Sequence, residues 1–423
     1  MLSIGTKSIN RIQNYIILVL VTTLFSYQVV TPLSVMADVS STKVNLFIKV
    51  LTTIFYFIVL IKLLSRKIIF SSRDLILMLL LALYALRLVV DLLFYNISYE
   101  YASKPYILSY FFILTVVPVV SLVLAGRFSK YRKLNKLALI FICAINILHL
   151  LVLLKSGADI VESFAGRMSV LSEGSSKKSI ISPLSISLYG CIGINYALFK
   201  LLFYNLSVRQ VILYVAILLI GTTNLFLGAS RGPMLISIGL AAITLFKFFR
   251  QFSFNDSSIF RAGVLFTIML TSTYLITPYT AKIDFFLIDR ITSFFDGNKS
   301  SELRNVIQES AINDFLSNPL LGSHFLDSTY GSFPHNAVID ALMACGLLGG
   351  ALMLLLLLRF TFSLLLLANM RLHKEYELFF IYSAPFVLFG LTSGSMVLTP
   401  TFWVILAILS GKVQRRDIEM VNK

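Results

Sequence analysis

Residues 14–155 hold five apolar runs, each about 20 residues long and separated only by short polar segments. At a helical rise of about 1.5 Å per residue, one such run crosses the hydrocarbon core of a bilayer. In lipid, every backbone polar group must be bonded within its own segment or a closed barrel, and continuous apolar runs fit only the helical solution. The same pattern recurs to the end of the chain. The predicted spans are 14–36, 44–64, 75–95, 106–125, 137–155, 183–204, 211–228, 234–249, 263–277, 337–358, 377–392 and 397–411. Several later ones are short or glycine-rich, as tilted or broken helices would be. The expectation is an all-α integral membrane protein, a single polytopic unit over residues 1–423 with about twelve transmembrane helices. Composition excludes the soluble alternative, at 57% hydrophobic and only 13% charged residues. Lys7 and Arg11 precede the first run, which is too long for a signal-peptide core and has no small-residue cleavage site, so it reads as the first span.

Charge then sets orientation. A net charge of +16 would ordinarily raise the question of nucleic acid. Here the positive charge is spread over short loops between apolar runs, so no nucleic-acid partner is expected and the bilayer itself is the partner. Placing both termini in the cytoplasm puts 23 of the 36 basic residues on that side. Arg66, Lys67 and Arg73 follow span 2; Arg127, Lys130, Arg132, Lys133 and Lys136 follow span 4. Acidic residues show the opposite bias. The three cysteines, Cys143, Cys191 and Cys345, fall in or near apolar runs without metal-ligand spacing.

Two outer loops are long, 156–182 and 278–336. Within the second, ELRNVIQESAINDFLSN places Leu303, Val306, Ile307, Ala311 and Phe315 at helical spacing. That predicts an amphipathic helix at the membrane surface or capping the bundle, ended by Asn318-Pro319.

The residues with chemical potential gather on this outer side. Arg167 lies in the first long loop, Arg290 and Arg304 in the second, and Arg231 in GASRGPML at the outer end of span 7. Topology does not call for arginines there. Pro233 suits the first turn of a helix, which would fix the Arg231 guanidinium beside a helix N-terminus, a combination suited to a phosphate. The alternatives are an arginine snorkelling to headgroups for Arg231, solvation for Arg167, and an ion pair with Glu302 or Glu309 for Arg304. Arg87 and Asp91 stand four apart inside span 3 and share a helix face, which predicts a pair directed into the bundle. His335 ends the long loop, between Pro334 and Asn336. Asn336 is a good N-cap, and a neutral imidazole at that point can take a proton near neutral pH. Gly346, Gly349 and Gly350 are expected to let the following helix pack closely against its neighbours.

Arg231 with Leu235, NPLLGS at 318–323, and His335-Asn336 followed after nine residues by Gly346-Leu-Leu-Gly349 resemble motifs of the O-antigen polymerase and O-antigen ligase superfamily. The match covers roughly residues 165–350. The resemblance implies a multi-spanning GT-C-like glycosyltransferase of the bacterial inner membrane, working at the periplasmic face on a glycan carried by undecaprenyl diphosphate. It implies His335 as the base for an acceptor hydroxyl, and Arg231 and Arg167 as ligands of the diphosphate, with Arg304 beside them. Asn336, Arg290, Arg87 and Asp91 would support the site. No cofactor is expected, and no Asp-x-Asp pattern occurs in the outer loops, which fits a metal-independent reaction. A chain-length regulator and a flippase are the expected partners. A repeat-unit polymerase is the leading expectation, an O-antigen ligase acting on lipid A-core the second, and a polysaccharide flippase or transporter the third. The few charges within the spans speak against a transporter.

Overall fold

In the computed structural model, the described residues are 2–37, 41–64, 72–95, 97, 103–125, 130–155, 170–171, 180–228, 230–251, 263, 299–369, 372–392 and 395–409. The helices are α1 (Leu2–Met36), α2 (Ser41–Leu64), α3 (Ser72–Leu93), α4 (Lys104–Ala125), α5 (Tyr131–Lys155), α6 (Pro183–Phe203), α7 (Val208–Leu227), α8 (Arg231–Arg250), α9 (Lys299–Ser317), α10 (Ala337–Asn369), α11 (Lys374–Gly390) and α12 (Pro400–Leu409). Among the described residues, eight helices are long and apolar enough to cross a membrane, so the chain is a multi-pass α-helical membrane protein. The predicted span 263–277 lies outside the described residues apart from Gly263. Within the 156–182 loop, Val170–Leu171 and Ile180–Ile181 pair as a two-residue antiparallel ladder, a small departure from the all-helical expectation.

Proline sits in the first turn of α4, α6, α8 and α12, at Pro105, Pro183, Pro233 and Pro400, where its missing N–H removes no helical bond. Several threonines inside the helices are satisfied locally. Thr22 Oγ1 donates to the Leu18 carbonyl and Thr31 Oγ1 to that of Tyr27, each one turn back. Asparagines link helices instead: Asn224 Nδ2 donates to the carbonyl and Oδ1 of Asn146, both at 2.9 Å, joining α7 to α5. The α6–α7 pair is packed so closely that a Cβ on Gly190 would lie 2.6 Å from the Gly221 carbonyl oxygen. One continuous buried cluster then joins residues from α1 to α12, centred on large aromatics such as Trp403, Tyr382 and Phe379.

The bundle has two polar ends. At one, Lys247 Nζ of α8 lies 2.6 Å from Glu377 Oε1 of α11 and donates to the Leu367 carbonyl. Nearby, Asn135 Nδ2 donates to Glu375, and Lys374 Nζ to the Phe203 carbonyl. The other end collects the C-terminal ends of α3, α7 and α11, the starts of α8, α10 and α12, helix α9, and the 318–336 segment.

Candidate functional site

The site end is organised by a break in α10. Gly346 has φ 64° and ψ −161°, a combination open to glycine alone, and it divides the helix into 337–345 and 347–369. A helix break frees backbone groups that must find partners. The NPLLGS segment supplies them: Ser323 N–H donates to the Met343 carbonyl at 2.8 Å, and Leu347 N–H to the Pro319 carbonyl at 2.8 Å. Gly322, itself at φ 75°, lets this backbone press in; a Cβ there would lie 2.6 Å from the Ala344 carbonyl. A Cβ on Gly346 would lie 2.3 Å from the Leu320 carbonyl oxygen. The glycine motif therefore does something other than the close helix packing expected of it. Gly346 makes room for the loop, and Gly349 and Gly350 face Cys345 and Leu342 of their own folded-back chain.

Helix α9 ends at Ser317, just before Asn318-Pro319, as expected. Its buried side carries Ile307 and Ala311 against α10, whereas Val306 is exposed, so only part of the predicted face is used. Its polar groups brace the loop that leads to His335. Ser310 Oγ donates to Asp327 Oδ1, and Asp327 also accepts the N–H groups of Thr329, Tyr330 and Ser332. Asp314 accepts the backbone N–H and hydroxyl of Ser328. These two carboxylates are thus fully engaged in shaping the loop. Gln308 Nε2 donates to the Pro334 carbonyl at 3.1 Å, which fixes the chain one residue before the histidine.

His335 has φ 56°, the one positive φ among the described non-glycine residues. Histidine tolerates the left-handed region better than most side chains, but the conformation still costs about 1–3 kcal/mol. The anchors on either side hold it there. Asn336 Oδ1 accepts the N–H groups of Val338 at 3.0 Å and Ile339 at 3.3 Å, the N-cap expected from the sequence.

Helix α9 and the start of α8 meet near Thr392, just past the end of α11. Arg304 Nη1 of α9 donates to the Thr392 carbonyl at 3.4 Å. Gly232, next to Arg231, is so close to the same residue that a Cβ would lie 2.9 Å from Thr392 Oγ1. Arg231 is the first residue of α8, with Pro233 in its first turn. Gln308, which reaches the Pro334 carbonyl, is one helical turn from Arg304, so α9 connects Arg304 to the loop that carries His335. Arg167 and Arg290 lie outside the described residues.

Arg87 and Asp91 form the expected pair, 2.9 Å apart with Asp91 fully buried. Their surroundings add residues that sequence reading did not single out. Arg87 Nη2 also lies 2.9 Å from His324 Nδ1, and Asp91 Oδ2 accepts the Phe325 N–H at 2.7 Å. The same Nδ1 lies 3.2 Å from Asp91 Oδ1, so one ring nitrogen touches both members of the pair. Three residues before Arg87, Tyr84 donates to Asp340 Oδ1 at 2.5 Å, while Asp340 Oδ2 accepts the Met396 N–H at 3.0 Å. This buried carboxylate ties the first segment of α10 to α3 and to the turn before α12. His324 and Asp340 left signals in the sequence: one of only four histidines directly after NPLLGS, and an acid inside an apolar run.

Among the described residues no group of three or more His, Cys, Asp or Glu side chains is arranged to hold a metal ion. Chemically, the site end offers a histidine on an anchored backbone, Arg304 joined to it through α9, and Arg231 at the start of α8. Neither a protein-family model nor a curated protein sequence matches the chain.

Proposed function

We propose that the chain is a polysaccharide repeat-unit polymerase of the O-antigen polymerase and ligase type. It transfers a growing glycan from undecaprenyl diphosphate to a lipid-linked repeat unit at the periplasmic face of a bacterial inner membrane. The finer architecture belongs to the same reading: about twelve spans in a GT-C-like arrangement, with both termini cytoplasmic. The observation that carries it is His335, held in a left-handed conformation between the Gln308–Pro334 bond and the Asn336 cap. Strain sustained by anchors on both sides is what a positioned reactive group requires.

In the proposed reaction the acceptor hydroxyl oxygen attacks the anomeric carbon of the donor sugar. The bond from that carbon to the diphosphate oxygen breaks, and the hydroxyl proton passes to His335. Undecaprenyl diphosphate leaves as an anion, stabilised by Arg231 and Arg304, with Arg167 as a further candidate ligand and Arg290 in support. Diphosphate is already a good leaving group, so no general acid is needed. Asn336 fixes the base, and Arg87 and Asp91 fix the loop behind it.

The test uses purified protein and a synthetic lipid-linked glycan donor. His335→Ala is expected to lower transfer by about 10²–10⁴-fold while the protein remains inserted and folded. Unchanged chain length and yield would remove the base from the mechanism. Arg231→Lys keeps the charge but loses the planar fork, so transfer is expected to fall; full activity would return Arg231 to headgroup contact. In a deletion strain, core carrying a single repeat unit supports polymerase. Bare core with accumulated lipid-linked polymer would mark the ligase instead.

A further inference from the structure

A cavity of about 880 Å³ lies at the opposite end of the bundle from His335. It opens where α5, α7 and α11 begin and where α6 and α8 end. Four cations line it, Arg132, Lys136, Lys200 and Lys374, against two carboxylates, Glu375 and Glu377. Glu377 is paired outside the cavity, with Lys247, so Glu375 beside Lys200 is the one carboxylate left to set against the four cations. Glu377 binds Lys247 and the Leu372 N–H, and Glu375 accepts Asn135 Nδ2 at 2.8 Å. Positive charge therefore remains in excess at the cavity wall.

Two of the cations are fixed in place. Lys200 Nζ lies 3.5 Å from the centroid of the Tyr204 ring, and Lys374 Nζ lies 6.0 Å from the same centroid. Lys374 is held further by its bond to the Phe203 carbonyl. An aromatic face steadies such cations but does not neutralise them. Arg132 and Lys136, one turn apart on α5, present two more charges to the same space. Beside them the wall continues as Leu139, Phe203 and Tyr214, so charge and apolar surface share one cavity.

We propose that this cavity binds a phosphate-bearing anion, and that the occupant is an anionic phospholipid whose headgroup meets the cations while its glycerol and upper acyl chain lie along the apolar wall. A free phosphate ion would use only the cations and would fill a small part of the volume. Basic pockets between helices at a membrane face recognise headgroups in this way.

The experiment follows thermal unfolding of the full-length protein in a neutral detergent, with phosphatidylglycerol, phosphatidylcholine or inorganic phosphate added. Phosphatidylglycerol is expected to raise the Tm by several degrees and phosphatidylcholine to leave it in place. Arg132 and Lys136 are both exposed, so R132Q/K136Q should keep the lipid-free Tm while losing at least half of the gain. Retention of phosphatidylglycerol through native mass spectrometry should fall in the same variant. A rise with inorganic phosphate alone that the variant loses would assign the cavity to the free ion. A rise equal for both lipids, a gain untouched by the substitutions, or no rise with phosphatidylglycerol or phosphate would overturn the proposal.

Discussion

Two buried ion pairs, one at each end of the bundle, are built differently. Lys247 and Glu377 are closed: their side chains are 1% and 3% exposed, and their remaining capacity goes to backbone groups at Leu367 and Leu372. Arg87 and Asp91 are open on one side: Asp91 is sealed, Arg87 is 15% exposed, and His324 at the rim is 31% exposed. A closed pair has no capacity left for a ligand and serves only to lock helices. An open pair edged by a part-exposed imidazole still faces the rim. The difference separates scaffold from site more sharply than burial alone, since both pairs contain a fully or nearly fully buried carboxylate.

Substitution can break that contrast. The largest effect is expected from Glu377→Ala, which strands the Lys247 ammonium in the core and should cost about 3–5 kcal/mol, read as loss of folded protein in detergent. The double variant K247M/E377L should recover most of that stability; failure to recover would mean that the pair does more than lock α8 to α11. Next comes Asp91→Asn, which leaves Arg87 without its counter-charge. Stability should fall by about 1–3 kcal/mol, less than for Glu377→Ala, while glycan transfer falls at least about tenfold. Equal losses in both pairs, with activity tracking stability alone, would erase the distinction. Arg87→Lys keeps the charge but cannot bind Asp91, His324 and the Gly322 carbonyl together. It should slow transfer severalfold at nearly unchanged Tm. The smallest effect is expected from Asn336→Ala, about 1 kcal/mol of helix-cap stability, with a measurable drop in transfer because the cap also holds His335.

What the sequence discloses here follows from range. Apolar runs are local, so the helices were legible, and so were the i,i+4 relation of Arg87 to Asp91 and the cap at Asn336. The partners of those groups were not. His324 reaches Asp91 across 233 positions, and Asp340 reaches Tyr84 across 256. Such pairings exist only after the bundle assembles. The left-handed backbone at His335 was equally hidden, because nothing in Pro-His-Asn distinguishes it from an extended loop. Spacing marks the glycines after it but not their neighbour, since it cannot tell a helix partner from a loop that docks into a break.

That break carries a practical consequence. The peptide groups of 319–323 complete the hydrogen bonding of 343–347, so neither segment is a self-sufficient unit of inheritance. A chimaera that exchanges the loop alone would set a different backbone path against Met343 and Leu347, whose bonds now run to Ser323 and Pro319. One that exchanges the helix alone would place side chains where the Leu320 carbonyl now rests. Recombination at this site should therefore succeed only when both stretches come from the same parent, and the residues between them, His324 and His335 included, travel along.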